Sequence, residues 1–498
     1  MAVVARTRAS LSAWLPLLAI AACLRAPGYV CDEDAQCVRR AEGACIEDAC
    51  AYPDASCASG MRWDALAPAE QADVCVGEGM GSGSADDGGP PEPLCGNGTI
   101  DELEDCDDGD AQGTGSCPAL CVASGTMLWQ VTWDGPAHSE DKAFGLAMDD
   151  AHASFYLAGF ATEDAAEGQD ILLQKRWIED GSLQWSRTAR GDGRGNDNGE
   201  NVALDSSGNP VIAAIAINEA TDGDLFLRKY DADGNELWTF THDEQGEFDR
   251  MQGVAVTSTD TIVGVGNVAV VRDDSSIDAE VWIQRFDANG TPIGAPLVRG
   301  DAGLDDEAVD ADGDADGFLV TGRVAHESGI LGLWTARYDR DLMLRWEDVE
   351  IADPIGDETR GVGMGLDPMG GSATAGVLSN DIWVHRYDAF GVHGWQFTLD
   401  GPQMIHDEAA DIAFAPDGSY LVGGFTDFAT DGFASADCWI RVFEPDGTER
   451  WTDTYDGPAH EIDKVLAVIA DSQGGAIVGG YHTVPGQARD VWMRRYKL

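Results

Sequence analysis

The chain has 498 residues, of which 89 are acidic and 31 basic, giving a formal net charge of −58. A field this negative repels phosphate backbones and anionic headgroups, which excludes a nucleic-acid binder. A hydrophobic content of 44% and 15 Trp exclude a disordered acidic chain, so the sequence must fold as a few domains or one large repeat array.

The first residues carry Arg6 and Arg8 and no acid, and an apolar stretch from Leu11 to Ala22 follows. That stretch is too short to span a bilayer and reads as an export signal over residues 1–22. It runs into Leu18-Ala19-Ile20-Ala21-Ala22-Cys23, which resembles the bacterial lipobox. The resemblance implies that Cys23 is lipidated and becomes the mature N-terminus; the alternative is an ordinary signal cleaved nearby. No second apolar run of membrane length follows, so a lipid tether on Cys23 is the expected membrane attachment, at the outer membrane or cell surface.

Of the 12 Cys, all but Cys23 and Cys438 fall between Cys31 and Cys121. Cys31, Cys37, Cys45, Cys50, Cys57 and Cys75 belong to a module over residues 23–76 with little helical or strand periodicity, the kind of segment that disulfides order in an oxidising compartment. Its pairing is open among fifteen arrangements. Residues 77–94, rich in Gly, Ser and Pro, form a linker. Residues 95–121 then read Cys95-Gly96-Asn97-Gly98, an acidic stretch, Cys106-Asp107-Asp108-Gly109, and the pair Cys117 and Cys121. This resembles the cysteine-rich repeat of myxobacterial secreted proteins, which implies a disulfide-held extracellular spacer or adhesion module.

From residue 126 to the end the chain repeats itself seven times. Trp129, Trp185, Trp238, Trp346, Trp395 and Trp451 each follow a turn and stand one or two units apart, the missing marker falling near Ile293. Before each turn comes an alternating strand such as Asp381-Ile382-Trp383-Val384-His385-Arg386-Tyr387, with Trp383 and Tyr387 on one face and Ile382, Val384 and Arg386 on the other. Two further strands meet at turns such as Pro416-Asp417-Gly418. Four strands per unit and seven units predict an all-β chain: a seven-bladed β-propeller of four-stranded blades, preceded by small disulfide-rich modules. The repeat begins on a fourth strand and reaches Leu498 on a third, so the strand at Trp129 is expected to complete the last blade. The unit resembles the SBBP-type bacterial β-propeller repeat over residues 126–498. Blade 2 is read as departing most, with Ala214 in place of a Gly and Arg176 in place of the last aromatic.

Each unit carries an Asp shortly before its innermost strand: Asp141, Asp197, Asp249, Asp306, Asp357, Asp407 and Asp463. They are expected at one mouth of the central channel, in a structural role as turn-formers or ion-pair partners. A recurring base at Lys175, Lys229, Arg285, Arg337, Arg386 and Arg495 is expected to pair with them or with Asp231, Asp287 and Asp339. The main break in symmetry is blade 4, where Asp310, Asp312, Asp314 and Asp316 alternate with small residues and form a Ca²⁺ candidate, against the reading of Asp316-Gly317 as the same hairpin turn as Asp417-Gly418. Cys438, at a position that is aliphatic in other blades, is expected to be a buried free thiol.

The nine His are scattered, and no HExxH or nucleophile elbow occurs. The favoured function is a non-enzymatic, lipid-anchored, extracytoplasmic binding or adhesion protein. It is expected to be a monomer without a cofactor unless Ca²⁺ is bound, with a protein or glycan of the envelope or surface as partner. Two alternatives remain. Turns such as Asp231-Ala232-Asp233-Gly234-Asn235-Glu236-Leu237-Trp238 resemble in part the tryptophan-docking motif of quinoprotein dehydrogenases, though its Thr-Gly-Lys is missing. A scaffold lipoprotein of envelope assembly is the other, since some of those are propellers.

Overall fold

The computed structural model describes residues 44–46, 49–53, 61–63 and 123–498, less 165–167, 192–194, 219–222, 301–302, 327–328, 352–357, 368–369, 402–405, 431–432 and 487. Cys23, where lipidation is expected, the cysteines Cys31, Cys37, Cys57, Cys75, Cys95, Cys106, Cys117 and Cys121, the expected linker over residues 77–94, and Asp357 lie outside the described residues. The chain divides into two compact units, Met1–Glu92 and Pro93–Leu498.

In the first unit, Ala44–Ile46, Ala49–Pro53 and Met61–Trp63 form a three-stranded antiparallel sheet in which the backbones of Cys45 and Cys50 stand opposite each other.

In the second unit the expected propeller is present: seven four-stranded antiparallel sheets, each in simple up-and-down order. The blades span residues 142–189, 198–242, 250–299, 307–350, 359–399, 407–455 and, for blade 7, 464–497 together with Met127–Trp133. The first strands of successive blades touch all the way round, blade 7 meeting blade 1, and so enclose the central channel. Among the described residues the one helical element is a 3₁₀ turn at Asp150–His152. Closure follows the expected route. Met127–Trp133 pairs with Arg489–Lys497, with Trp129 opposite Arg495, and so covers an edge that would otherwise be open to another chain.

Alternation places the two faces of each strand in different blade junctions. Trp383 and Tyr387 pack with Leu333 of blade 4, while Ile382 and Val384 pack with Ala409 and Trp439 of blade 6. Every inner strand also carries a bulge at the same place, at Phe144, Glu200, Gln252, Val309, Val362, Ala410 and Leu466. A bulge adds twist, which suits strands crowded round a closed ring.

The repeating Trp reaches from each blade onto the last turn of the next. Indole Nε1 donates to a turn carbonyl at Trp129 to Ile178 (2.9 Å), Trp185 to Ala232 (3.2 Å) and Trp238 to Ala288 (3.1 Å). Glycines in those turns take positive φ beneath the ring: a Cβ on Gly290, Gly391 or Gly447 would meet Trp238, Trp346 or Trp395 at 2.6, 2.7 and 2.6 Å. Gly447→Ala adds both that overlap and left-handed strain (φ +86), so it is expected to cost about 2–3 kcal/mol of stability. Chemical denaturation of the two proteins measures it, and equal midpoints would count against the Trp-on-turn stack. Blade 3 lacks this contact. Ile293 stands in the Trp register, its N–H donating to the carbonyl of Arg285 (2.8 Å), and the fourth strand resumes only at Leu297–Arg299. The turn it would cover in blade 4 correspondingly holds Leu342 rather than Gly, at φ 63.

Arg176 belongs to the third strand of blade 1 (Gly168–Trp177), not to blade 2, whose strand ends on the aromatic Tyr230. It fills the aromatic's place as a buried side chain, bonding Gln174 Oε1 from Nε (2.9 Å) and the Gly181 carbonyl from Nη1 (2.8 Å). Burial lowers its pKa to about 10.

Candidate functional site

The repeating Asp residues sit where the chain passes from one blade to the next, and burial hides them. Asp141, Asp197, Asp249, Asp306, Asp407 and Asp463 are at most 1% exposed, and none lines the channel cavity. The reason is the orphaned backbone of the connecting loop. Asp141 Oδ2 accepts the Gly135 N–H (2.6 Å) and Oδ1 the Thr162 N–H (2.9 Å); Asp407 accepts Gly401 (2.6 Å) and Asp427 (2.9 Å) in the same way. Each Asp also donates its own N–H to the preceding blade, Asp141 to the Arg489 carbonyl (2.8 Å) and Asp463 to that of Ala436 (2.7 Å). One residue thus ties a loop, the second strand of its own blade and the third strand of the previous one. Burial raises Asp197 and Asp249 to about 6.

The repeating bases choose other carboxylates than expected. Lys175, Lys229, Arg337, Arg386 and Arg495 pair with Asp149 (3.4 Å), Asp205 (2.8 Å), Asp314 (2.6 Å), Asp367 (3.1 Å) and Asp471 (2.6 Å). These acids stand in the turn between first and second strands, directly across the blade from the base. Asp231, Asp287 and Asp339 instead accept N–H groups inside their own turns. Blade 3 has Thr257 at the turn position, and Arg285 accordingly reaches out to the Arg340 carbonyl and exposed Asp341.

The channel cavity holds about 710 Å³. The residues that follow the seven bulges are Gly145, Asn201, Gly253, Asp310, Gly363, Asp411 and Ala467; Gly145, Asn201, Asp310, Gly363 and Asp411 line the cavity, and from blade 1 to blade 7 polar side chains alternate with residues that have little or none. Close approach of the inner strands requires this: a Cβ on Gly363 would meet the Asp411 Cα at 2.5 Å, and one on Gly145 the Asn201 Cα at 2.8 Å. Asn201 Nδ2 donates to Asp310 Oδ1 (2.7 Å), Asp310 Oδ2 accepts the Met364 N–H of blade 5 (3.0 Å), and Asp411 Oδ2 accepts the Val468 N–H of blade 7 (2.8 Å). Burial, with the charge of Asp312 beside it, raises Asp310 to about 7, and burial, with the charge of Asp310, holds Asp411 well above the usual range.

Blade 4's four acids are not brought into one coordination shell. Asp310 and Asp312 lie in the inner strand Glu307–Gly313 and accept the N–H groups of Met364 and Leu366 (2.9 Å); Asp314 holds Arg337, and Asp316 is exposed in the turn. That turn is one residue shorter than its counterpart in blade 6. Gly317 pairs opposite Asp339 and Phe318 opposite Tyr338, whereas Tyr420 is the residue opposite Phe443. Gly317 therefore takes the place of Ser419, not that of Gly418.

The loops Asp134-Gly135-Pro136-Ala137-His138 and Asp456-Gly457-Pro458-Ala459-His460 are built alike, each His bonding the Asp that begins its loop (2.5 and 2.6 Å). Cys438 is free and fully buried, and burial pushes its thiol up, so it is held as a protonated packing residue.

What the sequence reading missed is the outer rim. Trp177, Leu183, Leu237, Ile293, Met343, Leu344, Phe390 and Val392 are all exposed and lie at or beside the turns between third and fourth strands, and exposed Met127 begins the fourth strand of blade 7 opposite Tyr496. Exposure peaks on two adjacent blades, at Met343 (63%) in blade 4 and Phe390 (82%) and Val392 (61%) in blade 5. Trp346 against Gly391 makes these turns neighbours. A lone apolar turn residue carries no signal in a sequence; the patch exists only once the blades are side by side.

No family model matches the chain, and no curated protein matches it. Among solved structures it is similar to a protein of unknown function from Dyadobacter fermentans (TM-score 0.44, 10% identity, 76% of this chain and 100% of that one). It is also similar to a protein of unknown function from Bacteroides caccae (0.37, 8%, 60% and 94%) and to BamB from Moraxella catarrhalis (0.37, 10%, 75% and 100%). No function passes to this chain from likenesses at these identities. No helix among the described residues is long and apolar enough to cross a membrane.

Proposed function

We propose that this chain is a non-enzymatic, extracytoplasmic lipoprotein, tethered through Cys23, that binds a protein partner with the outer rim of its propeller. The observation carrying the reading is the exposed group Met343, Phe390 and Val392, where the apolar exposure of the rim peaks on a chain of strong negative charge. Covering a large apolar side chain gains about 1.5–3 kcal/mol, so three together supply a useful share of a protein–protein affinity. Apolar turns of this kind suit a protein better than a glycan, and the strong negative charge excludes nucleic acid and favours a partner with a basic margin.

The test is crosslinking on intact producing cells with the wild type, a Met343→Asp/Phe390→Asp double variant and Cys23→Ser. A discrete crosslinked species is expected with the wild type and is expected to vanish in the double variant, whose thermal midpoint stays unchanged because both residues are exposed. An identical crosslinking pattern in the two would remove the rim as the binding surface. Cys23→Ser is expected to move the protein from the membrane to the soluble fraction, and continued sedimentation with membranes would rule out the lipid tether.

A further inference from the structure

The junction of blades 4 and 5 departs from the repeat at several positions at once. Asp348 and Glu350 lie on the fourth strand of blade 4 (Leu344–Glu350), His385 on the third strand of blade 5 (Asp381–Tyr387), and His393 at the start of its fourth (His393–Leu399). One side-chain nitrogen or oxygen from each of the four lies within 4.8 Å of the others. His393 Nε2 is 3.2 Å from Asp348 Oδ2, and His385 Nδ1 is 3.9 Å from Glu350 Oε1, the two rings standing perpendicular with centroids 4.5 Å apart. His385 is 2% exposed, and its Nδ1 is buried with no hydrogen-bond partner. An orphaned buried nitrogen is costly and calls for an explanation.

The equivalent junction of blades 6 and 7 supplies the comparison. There Asp453 accepts the Tyr496 hydroxyl (2.7 Å) and faces the Arg494 guanidinium (3.4 Å), which lies over the Tyr455 ring. At blades 4 and 5 the Tyr387 hydroxyl donates to Asp348 in the same way (3.0 Å), but His385 stands in the place of Arg494 and Glu350 in that of Tyr455. The junction has lost a fixed positive charge and gained a carboxylate. Its buried apolar cluster among the described residues, Leu333, Trp383 and Tyr387, is also small beside those of other junctions.

We propose that Asp348, Glu350, His385 and His393 bind one divalent transition metal of the Zn²⁺ class, which bridges blades 4 and 5 where an arginine bridges blades 6 and 7. Two imidazoles and two carboxylates are a donor set for such an ion, whereas Ca²⁺ and Mg²⁺ prefer oxygen alone. Ligands about 2.1 Å from a tetrahedral ion stand about 3.4 Å apart, close to the separations present. The half-exposed His393 leaves the site open for metal to enter.

Purified full-length protein with its disulfides intact would be titrated with Zn²⁺ by calorimetry and with Co²⁺ by visible absorbance, as wild type, His385→Arg and His393→Gln. His385→Arg reproduces the side chain of Arg494 and is expected to keep the fold while losing one metal equivalent and its tetrahedral Co²⁺ bands. His393→Gln is expected to weaken that equivalent at least tenfold. Zn²⁺ is expected to raise the thermal midpoint of the wild type and not that of His385→Arg. Equal stoichiometry and equal midpoint shifts in those two proteins, Co²⁺ bands that persist in His385→Arg, or no binding by the wild type would each overturn the proposal.

Discussion

Asp463→Ala is expected to lower the thermal midpoint of the propeller by about 5–10 °C, corresponding to roughly 2–5 kcal/mol. The carboxylate is fully buried and accepts the N–H groups of Gly457 and Thr483 (2.8 Å), one on each oxygen. Alanine leaves both donors without a partner in a place water does not reach, and each such orphan costs about 1–3 kcal/mol. The loop it releases also carries the bond from Asp463 N–H to the Ala436 carbonyl, so the junction of blades 6 and 7 loosens with it. Asp463→Asn keeps one acceptor oxygen and is expected to lose about half as much. Asp446 provides the contrast: it bonds Thr448 in an exposed turn, and Asp446→Ala is expected to cost no more than about 1 kcal/mol. Calorimetric scans of the three variants decide the matter, and equal losses at Asp463 and Asp446 would show that the buried staple carries no special weight.

Stability is expected to rise, by several degrees in thermal midpoint, as the pH is lowered from 8 to about 5.5. Burial raises Asp197, Asp249, Asp437 and Asp490 to about 6 and Glu200 and Asp310 to about 7. For a carboxyl whose folded pKa lies above its unfolded value, the folded state binds the proton more tightly. The stability it contributes is therefore full below the unfolded pKa and is lost as pH rises through 6 to 7. His385 and His482, lowered to about 4 by burial, act in the opposite sense: they favour the fold above their unfolded pKa and withdraw that support as pH falls toward 4. Carboxylates held low by hydrogen bonds, such as Asp231 and Asp446, add to the loss at the acid end. The raised carboxyls outnumber the lowered His, and protonation also relieves part of the −58 charge, which places the optimum on the acid side of neutrality. A midpoint that stays level or falls between pH 8 and 6 would contradict this balance.

The architecture was legible in the sequence because its information is local. A blade is four short strands and three turns, and period-two alternation such as Ile382-Trp383-Val384, with Asp and Gly at the turns, is written within one unit. Repetition multiplied that signal seven times, and the phase of the first Trp fixed how the ring closes. Partner choice was not local. Lys175 could have met any of several nearby acids, and the fold selects Asp149 because the turn between first and second strands lies across the blade, while the Asp before the inner strand is taken by backbone N–H groups.

The sequence by itself determined the seven-bladed propeller, its closure by the strand at Trp129, and the position of one Asp at the start of each blade. Tertiary structure decided what those positions do. It buried the carboxylates that composition would leave in water, paired Asp310 with the backbone of blade 5 rather than with its neighbouring acids, gathered Met343 and Phe390 into one rim, and set Asp348 and Glu350 against His385 and His393. The physical reason is that a repeat specifies each strand through its own alternation, whereas burial and charge pairing arise only at the junctions, where residues some fifty positions apart along a repeat array come into contact.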